Sequence, residues 1–279
     1  MPRPLPDPDT TATRSAPAPD RVEAEGGSFT NAVQRMFNGI APRYDSFNRW
    51  ASLGMDAGWR RAAIGRLAAP AGGRILDIAT GTGDLAFAAA RSGCEVVGCD
   101  FAGEMIALAR GKAQSRSEGT RTAFHVARAE RLPYPASSFD GVVSAFAMRN
   151  VRPMLDEVLR EAFRVLRPGG RLVILEFSEP QLAPVRWGHA LYTRVLVPQI
   201  GRALTGDATP FEYLNRSIDA WDRPVQFAER IGRAGFTDVG YRLLSFGTVA
   251  LHWGARPDGG AASSVVASSA AGAEAGPRQ

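Results

Sequence analysis

Lysine is almost missing from this chain. Lys112 is the only one, and arginine supplies the rest of the 33 basic residues, which outweigh 28 acids to leave a net charge of +5. The arginines are scattered, with no polybasic run and no interleaved aromatics, which excludes a typical nucleic-acid binder. The positive balance suits either contact with an anionic lipid surface or a merely solvated face. Cysteine is also scarce. Cys94 and Cys99 lie an odd number of positions apart beside one apolar run, so they are expected on opposite sides of a strand. That excludes a disulfide framework and a metal pair, and fits a reducing cytoplasm. No uninterrupted apolar run is long enough to span a membrane, and the start of the chain has no apolar core of a secretory signal.

Large apolar side chains are nearly absent from residues 1–28, which are rich in proline and alanine, and from 255–279, which are rich in alanine, serine and glycine. Neither stretch buries enough surface to offset its ordering entropy, so both read as disordered tails. The span 29–254 then suits one domain with a full core.

That domain is organised around Arg74-Ile75-Leu76-Asp77-Ile78-Ala79-Thr80-Gly81-Thr82-Gly83-Asp84. The apolar run reads as a buried strand, and Gly81 and Gly83 as a loop entering a helix, where the backbone approaches a ligand with no Cβ in the way. Asp100 ends the next apolar run, near the offset at which nucleotide-binding α/β units place a carboxylate for ribose hydroxyls. Gly81-x-Gly83-x-x-Ala86 alone fits the loose dinucleotide fingerprint. Two acids point away from NAD. Asp77 within the strand suits a ligand ammonium, and Asp84 disfavours a pyrophosphate at the helix N-terminus. A phosphate-free zwitterion such as S-adenosylmethionine suits these charges, and a ligand-free turn is the plain alternative.

Before this loop, Val33, Met36, Phe37 and Ile40 recur at helical spacing, with Ser28 or Thr30 as N-cap, and Pro42 is expected to end the helix. The aromatic and polar stretch 43–59 reads either as a lid over a substrate pocket or as part of an N-terminal helical pair. After Asp100, a helix over 104–113, strands over 124–127 and 139–148, a helix from Leu155 to Leu166 stopped by Pro168-Gly169-Gly170, and a strand over 171–177 continue the alternation. Such alternation predicts a mostly parallel sheet with helices on both faces, and ligands at the carboxyl ends of the strands. Residues 180–223 form an aromatic insertion. A helix around Phe227, Ile231 and Phe236 follows, then strands over 239–245 and 248–253, the last pair adding an antiparallel strand at the sheet edge.

Several segments together resemble the C-methyltransferase family of menaquinone and ubiquinone biosynthesis, within the class I S-adenosylmethionine-dependent methyltransferases. They are Tyr44-Asp45-x-x-Asn48-x-x-x-Ser52 with Trp59, Thr80-Gly81-Thr82-Gly83-Asp84, Met148-Arg149-Asn150-Val151, and the stretch through Pro168-Gly169-Gly170 to Glu176 and Ser178. Gly206-Asp207, Tyr213-Leu214, Ser217-Ile218 and Val249-Ala250-Leu251-His252 complete them. The resemblance implies a Rossmann-like, doubly wound, seven-stranded sheet, capped by 29–69 and 180–223. It implies S-adenosylmethionine as cofactor, with Asp77, Gly81, Thr82, Gly83, Asp100, Arg128, Ala129 and Ala145 in its site. No metal is implied. Arg128 stands where the family tends to have Asn or Asp, and arginine has no acceptor for an adenine amino group, so a backbone carbonyl must serve. Ala145 replaces serine, Asp56 histidine and Phe47 methionine.

The implied reaction moves a methyl group from the sulfonium to a ring carbon of a polyprenyl quinol, with demethylmenaquinol favoured over the benzoquinol of the ubiquinone branch. Arg149, Asn150, Tyr44 and Asp207 are the candidates beside the ring, with Arg149 stabilising the quinolate oxygen or instead tying strand to helix. His189 and His252 are further candidates for the base. A methyltransferase for another small lipophilic acceptor is the competing reading. The expected setting is the cytoplasm, with transient contact at the inner membrane surface and no nucleic-acid partner; oligomeric state is not legible.

Overall fold

The computed structural model describes residues 26–199, 202 and 209–258. Seven strands form one sheet: β1 (Arg74–Ile78), β2 (Glu95–Asp100), β3 (Thr122–Val126), β4 (Phe139–Ala145), β5 (Leu166–Phe177), β6 (Thr237–Leu244) and β7 (Val249–Ala255). Their order is β3-β2-β1-β4-β5-β7-β6. The first five run parallel; β7 is reversed and sits between β5 and β6, antiparallel to both. The doubly wound α/β fold expected from the alternation is therefore present.

Alternation of side chains along the strands divides the core in two. On one face Leu76, Val142, Leu172 and Ile174 pack beneath α5 (Leu155–Val165) and the helix carrying Phe227 and Ile231. On the other, Ile75, Val143, Val173 and Leu175 meet α2 (Asp56–Leu67), α3 (Asp84–Arg91) and α4 (Gly103–Gln114). Cys99 belongs to the first face and Cys94 to the second, as their spacing requires, and both are free thiols.

Several boundaries differ from expectation. Pro42 does not end the first helix: α1 runs Gly26–Ala51. A proline costs one backbone hydrogen bond, and burial of Val33 and Ala41 before it and Phe47 beyond it holds the two halves in line. Ser28 and Thr30, expected at its start, consequently lie inside α1. β4 ends at Ala145, and Met148–Met154 forms a tight helical turn instead of strand. β5 begins at Leu166, because Leu166 already pairs with Phe139 before the Pro168-Gly169-Gly170 excursion and Gly141 resumes pairing at Arg171. The edges expected at 29 and 254 move outward, since α1 starts at Gly26 and β7 reaches Ala255. Arg256 lies beyond it, and its Nη1 donates to the carbonyls of Phe163 and Leu166 at 3.0 and 2.6 Å. Residues 1–25 and 259–279 of the expected tails lie outside the described residues.

Within the insertion, α6 (Ala183–Leu191) continues into a wider turn, Tyr192–Leu196, and α7 spans Thr209–Asp219. α8 (Pro224–Arg233) leads back to β6.

Candidate active site

Two adjoining cavities open where the carboxyl ends of β1, β2 and β4 meet. Phe37 and Tyr44 of α1, Gly81, Ala145, Phe146 and Asn150 line both. One cavity continues to Asp77, Thr82, Arg60, Arg149, Phe177 and Tyr213. The other continues to Asp100, Met105, Arg128, Ala129 and Glu130. α1 thus covers both, so the stretch expected to be either a lid or a helix is a helix that roofs the site.

Asp77 is buried at the penultimate position of β1, opposite Gly98. A Cβ on Gly98 would sit 2.8 Å from Thr80 Oγ1, so glycine leaves room for that hydroxyl, which donates to Asp77 Oδ2 at 2.6 Å. Asp77 Oδ1 has no hydrogen-bond partner among the described residues. Burial pushes the Asp77 carboxyl up to about 7, against the opposing Thr80 hydrogen bond and Ala86 amide. An unpaired carboxylate oxygen in an apolar wall is costly, and a ligand ammonium would satisfy it. Asp100 accepts the Gly81 N–H at Oδ2 and the Ala102 N–H at Oδ1, both at 2.9 Å. Burial raises it to about 6, opposed by those two amides and that of Phe101. Its oxygens retain lone pairs for hydroxyl donors from the cavity. The residues present therefore fit a nucleoside carrying an amino-acid tail.

The two loop glycines differ in purpose. Gly81 has φ +55° and faces the cavities, with nothing nearer its missing Cβ than Tyr44 at 3.9 Å. Gly83 lines neither cavity; a Cβ there would lie 2.9 Å from the Phe124 ring and 3.0 Å from Phe87. Packing by itself therefore requires glycine there. Thr82 lines the cavity, but its hydroxyl donates to Asp45 and accepts from Lys112 at 2.9 Å. Lys112 also reaches Asp84 Oδ1 at 3.0 Å, and Arg60 pairs with Asp56 and Asp84. This cluster is not foreseen as a unit by the sequence reading; its only signals are the isolated lysine and the Tyr44-Asp45 segment.

Ala129 and Arg128 line the second cavity as expected. The Arg128 guanidinium turns to Glu130 at 2.5 Å, and its carbonyl accepts the Arg131 N–H at 3.2 Å. Glu130 brings a carboxylate acceptor to the same wall. Ala145 lines both cavities, while the neighbouring Ser144 hydroxyl is spent on Ile78 O at 2.7 Å.

Of the candidates beside the acceptor, Tyr44, Arg149 and Asn150 are brought together, and Asp207 lies outside the described residues. Arg149 is largely committed. Its Nη1 meets the fully buried Glu176 at 2.8 Å and also the Phe146 carbonyl, and its Nε donates to Ser217 Oγ at 3.2 Å. Its guanidinium lies over the Phe177 ring at 5.0 Å. Nη2 is the guanidinium nitrogen left without a hydrogen bond among the described residues. Arg149 thus ties the turn after β4 to β5 and α7, and still faces the cavity. Asn150 Oδ1 is buried without a hydrogen-bond partner among the described residues. Burial raises the Tyr44 hydroxyl, with Asn48 and Arg149 opposing, so it remains a neutral donor. Neither histidine candidate lines a cavity. His252 is buried, contacts Pro224 O at 3.1 Å, and is pushed down to about 4 by desolvation. His189 lies on α6, its pKa lowered by burial.

Residues 26–256 match the ubiE/COQ5 methyltransferase family. A demethylmenaquinone methyltransferase of Thermus thermophilus is 43% identical over 224 residues, 80% of this chain and 100% of that protein. A ubiquinone/menaquinone biosynthesis C-methyltransferase of Bradyrhizobium diazoefficiens is 39% identical over 236 residues, covering 82% and 93% of the two chains. Among solved structures, the [4+2]-cyclase SpnF superposes with TM-score 0.61 at 18% identity, covering 82% of this chain and 97% of its own. A Haemonchus contortus phosphoethanolamine N-methyltransferase with bound S-adenosyl-L-methionine gives 0.54 at 16% identity, covering 79% and 60%. These two show the fold alone, and that a cyclase shares it illustrates that chemistry resides in the site. The family match and the relatives' identity settle membership: the chain belongs to the ubiE/COQ5 methyltransferase family.

Proposed function

We propose that this protein, with S-adenosylmethionine as its cofactor, methylates a ring carbon of a polyprenyl quinol, and that demethylmenaquinol is the acceptor. The observation that carries the reading is Asp77 Oδ1, without a hydrogen-bond partner among the described residues, in the same cavity as Tyr44, Asn150 and Arg149. The names of the relatives in the menaquinone branch support the choice of acceptor.

S-adenosylmethionine supplies a methyl group on a positively charged sulfur. Asp77 holds its ammonium, Asp100 its ribose hydroxyls, and Ala129 and Glu130 its adenine, Glu130 being the acceptor that the Arg128 side chain lacks. Gly81 and Thr82 bring backbone to the amino-acid tail, and Ala145 keeps the floor between the cavities low. The acceptor ring lies against Phe146 and Phe177. Ionisation of a quinol hydroxyl, its proton passing to solvent, makes the adjacent carbon nucleophilic; when that carbon takes the methyl group, loss of its ring proton to the quinol oxygen or solvent restores the aromatic quinol. Arg149 Nη2 and the neutral Tyr44 hydroxyl would stabilise the oxygen charge, and Asn150 Oδ1 would orient the second hydroxyl. Asp207, outside the described residues, stays a candidate through the family resemblance alone. Closing α1 over the ring excludes water and aligns the carbon, which is most of what an already activated methyl donor requires.

The cap elements 29–69 and 180–223 shelter the ring and the first prenyl units, while the rest of the tail stays in the bilayer. Among the described residues no helix is long and apolar enough to cross a membrane; the proposed place of work is the cytoplasmic membrane surface, where a polyprenyl acceptor is reached.

The test is radiolabelled methyl transfer to chemically reduced demethylmenaquinol and, in parallel, to the demethylated benzoquinol, with both oxidised quinones as controls. Product from the naphthoquinol and none from its quinone is the expected result. Product from the benzoquinol alone would move the protein to the ubiquinone branch, which the second relative's name also covers. Cofactor binding without product from either would overturn the quinol assignment.

A further inference from the structure

α6 carries tryptophan, leucine and valine, yet neither it nor the turn that continues it has a single buried residue. Trp187 is 73% exposed, and Leu191 and Val195 follow it at four-residue intervals on the same side, with Leu182 and Leu196 exposed at the two ends. The opposite side is attached to the body of the protein. The Tyr192 hydroxyl donates to Ala51 O at 3.3 Å, and Asn215 donates to Thr193 O at 2.7 Å. The end of α1 extends the same surface with Trp50 and with Leu53, which is 70% exposed. Immediately beneath, Phe47 and Val197 pack with Leu214, and Phe47 and Leu214 line the acceptor cavity.

An apolar surface of this extent, rimmed by charge, marks an interaction site. The charge is of one sign within the segment. Residues 180–199 hold Arg186 and Arg194 as their charged side chains and no carboxylate, and Arg49 is exposed at the end of α1. The facing acids are Glu179, 3.8 Å from Arg186, and Asp219, 3.2 Å from Arg194.

We propose that α6, with Trp50 and Leu53, is the face that docks on an anionic lipid bilayer and sets the acceptor cavity against its hydrocarbon edge. The proposal rests on the quinol reading, because a polyprenyl acceptor is reached from the bilayer. A helix with Trp and Leu outward and arginines alongside lies in the headgroup layer, its apolar side chains below and its guanidinium groups among the phosphates. A second copy would also cover the apolar stripe, but it brings no phosphates to Arg186 and Arg194, which lipid headgroups supply.

The test uses the full chain with vesicles of phosphatidylcholine containing phosphatidylglycerol, and with phosphatidylcholine alone. The wild type is expected to sediment with the anionic vesicles, and lipids brominated in the acyl chain quench its tryptophan emission. Trp187→Ser/Leu191→Ser lowers the partition constant by about a hundredfold, while turnover on a soluble short-chain quinol stays at the wild-type value. Arg186→Gln/Arg194→Gln removes the preference for anionic vesicles. Failure of the wild type to bind, or equal binding by the Trp187/Leu191 variant, overturns the proposal. So does a wild-type dimer in sedimentation equilibrium that this variant converts to monomer without any vesicle binding. Should the variant not fold, absence of brominated-lipid quenching in the wild type is the overturning result. Vesicle binding intact with no turnover on any quinol would instead overturn the acceptor assignment.

Discussion

Lys112, in the last turn of α4, forms an ion pair with Asp45 in the C-terminal part of α1, beyond Pro42. The same ammonium holds Thr82 and Asp84 of the glycine loop, so one side chain fastens the helix over the site to the loop beneath it. Partly exposed ion pairs stabilise a fold by only about 0.2–1 kcal/mol. The consequence is therefore expected in positioning. Lys112→Gln should leave thermal stability nearly unchanged and raise the KM for S-adenosylmethionine by roughly 3- to 10-fold with a smaller change in kcat. Lys112→Arg should restore part of the loss, and combining Lys112→Gln with Asp45→Asn should cost less than the sum of the two.

Asp77 makes cofactor affinity depend on pH. Its carboxyl is raised to about 7 by burial, so between pH 5.5 and 7 the ionised fraction grows and affinity for the ammonium-bearing cofactor should rise by up to about tenfold per pH unit. Titration calorimetry checks this, with Asp77→Asn binding weakly and without that slope. Stability of the ligand-free protein runs the other way. A raised folded-state pKa contributes stability that is present below the unfolded value of about 3.9 and is lost as pH rises through about 7. Without cofactor at pH 8, Asp77→Asn should therefore melt higher than wild type, by at least about 2–4 °C.

Glu176 is fully buried and depends on Arg149 for its charge partner. Arg149→Met should destabilise the protein by about 3–5 kcal/mol, because a buried charge is left alone. Arg149→Met/Glu176→Gln should recover much of that in a urea titration. Methyl transfer by the refolded double variant should remain low, which separates the part Arg149 plays at the ring from its part in the fold.

Gly81 and Gly83 should fail differently. Gly83→Ala forces a Cβ against the rings of Phe124 and Phe87 at φ +89° and should cost about 1–3 kcal/mol of stability. Gly81→Ala meets no protein atom closer than 3.9 Å, so its melting temperature should fall less while cofactor affinity drops by about tenfold or more. Melting curves and binding isotherms on the pair make the comparison.

Most of the sheet was legible because its signals are local. Apolar runs bounded by turn residues marked β1, β2 and β5, and their alternation with helices indicated a parallel sheet with ligands at its carboxyl edge. Pro42 misled because helix propensity speaks only for the segment that contains it, whereas Val33, Ala41 and Phe47 are held by neighbours distant in sequence. The start of β5 was missed for the same reason, since its first residue is strand only through pairing with Phe139. His189 and His252 attracted attention as titratable groups, but neither lines either cavity, and His252 is buried against Pro224 O.

By itself the sequence determined the cofactor loop, the two carboxylates at the ends of β1 and β2, and the family, because these depend on residue type and spacing along the chain. Only the tertiary structure decided that Asp77 has an unpaired oxygen, that Arg149 is half spent on Glu176, and that the lone lysine fastens α1 to the glycine loop. Only it decided, too, that α6 turns its apolar stripe outward. Each of these depends on which groups from distant parts of the chain meet and how much water they lose, and no spacing in one dimension encodes that.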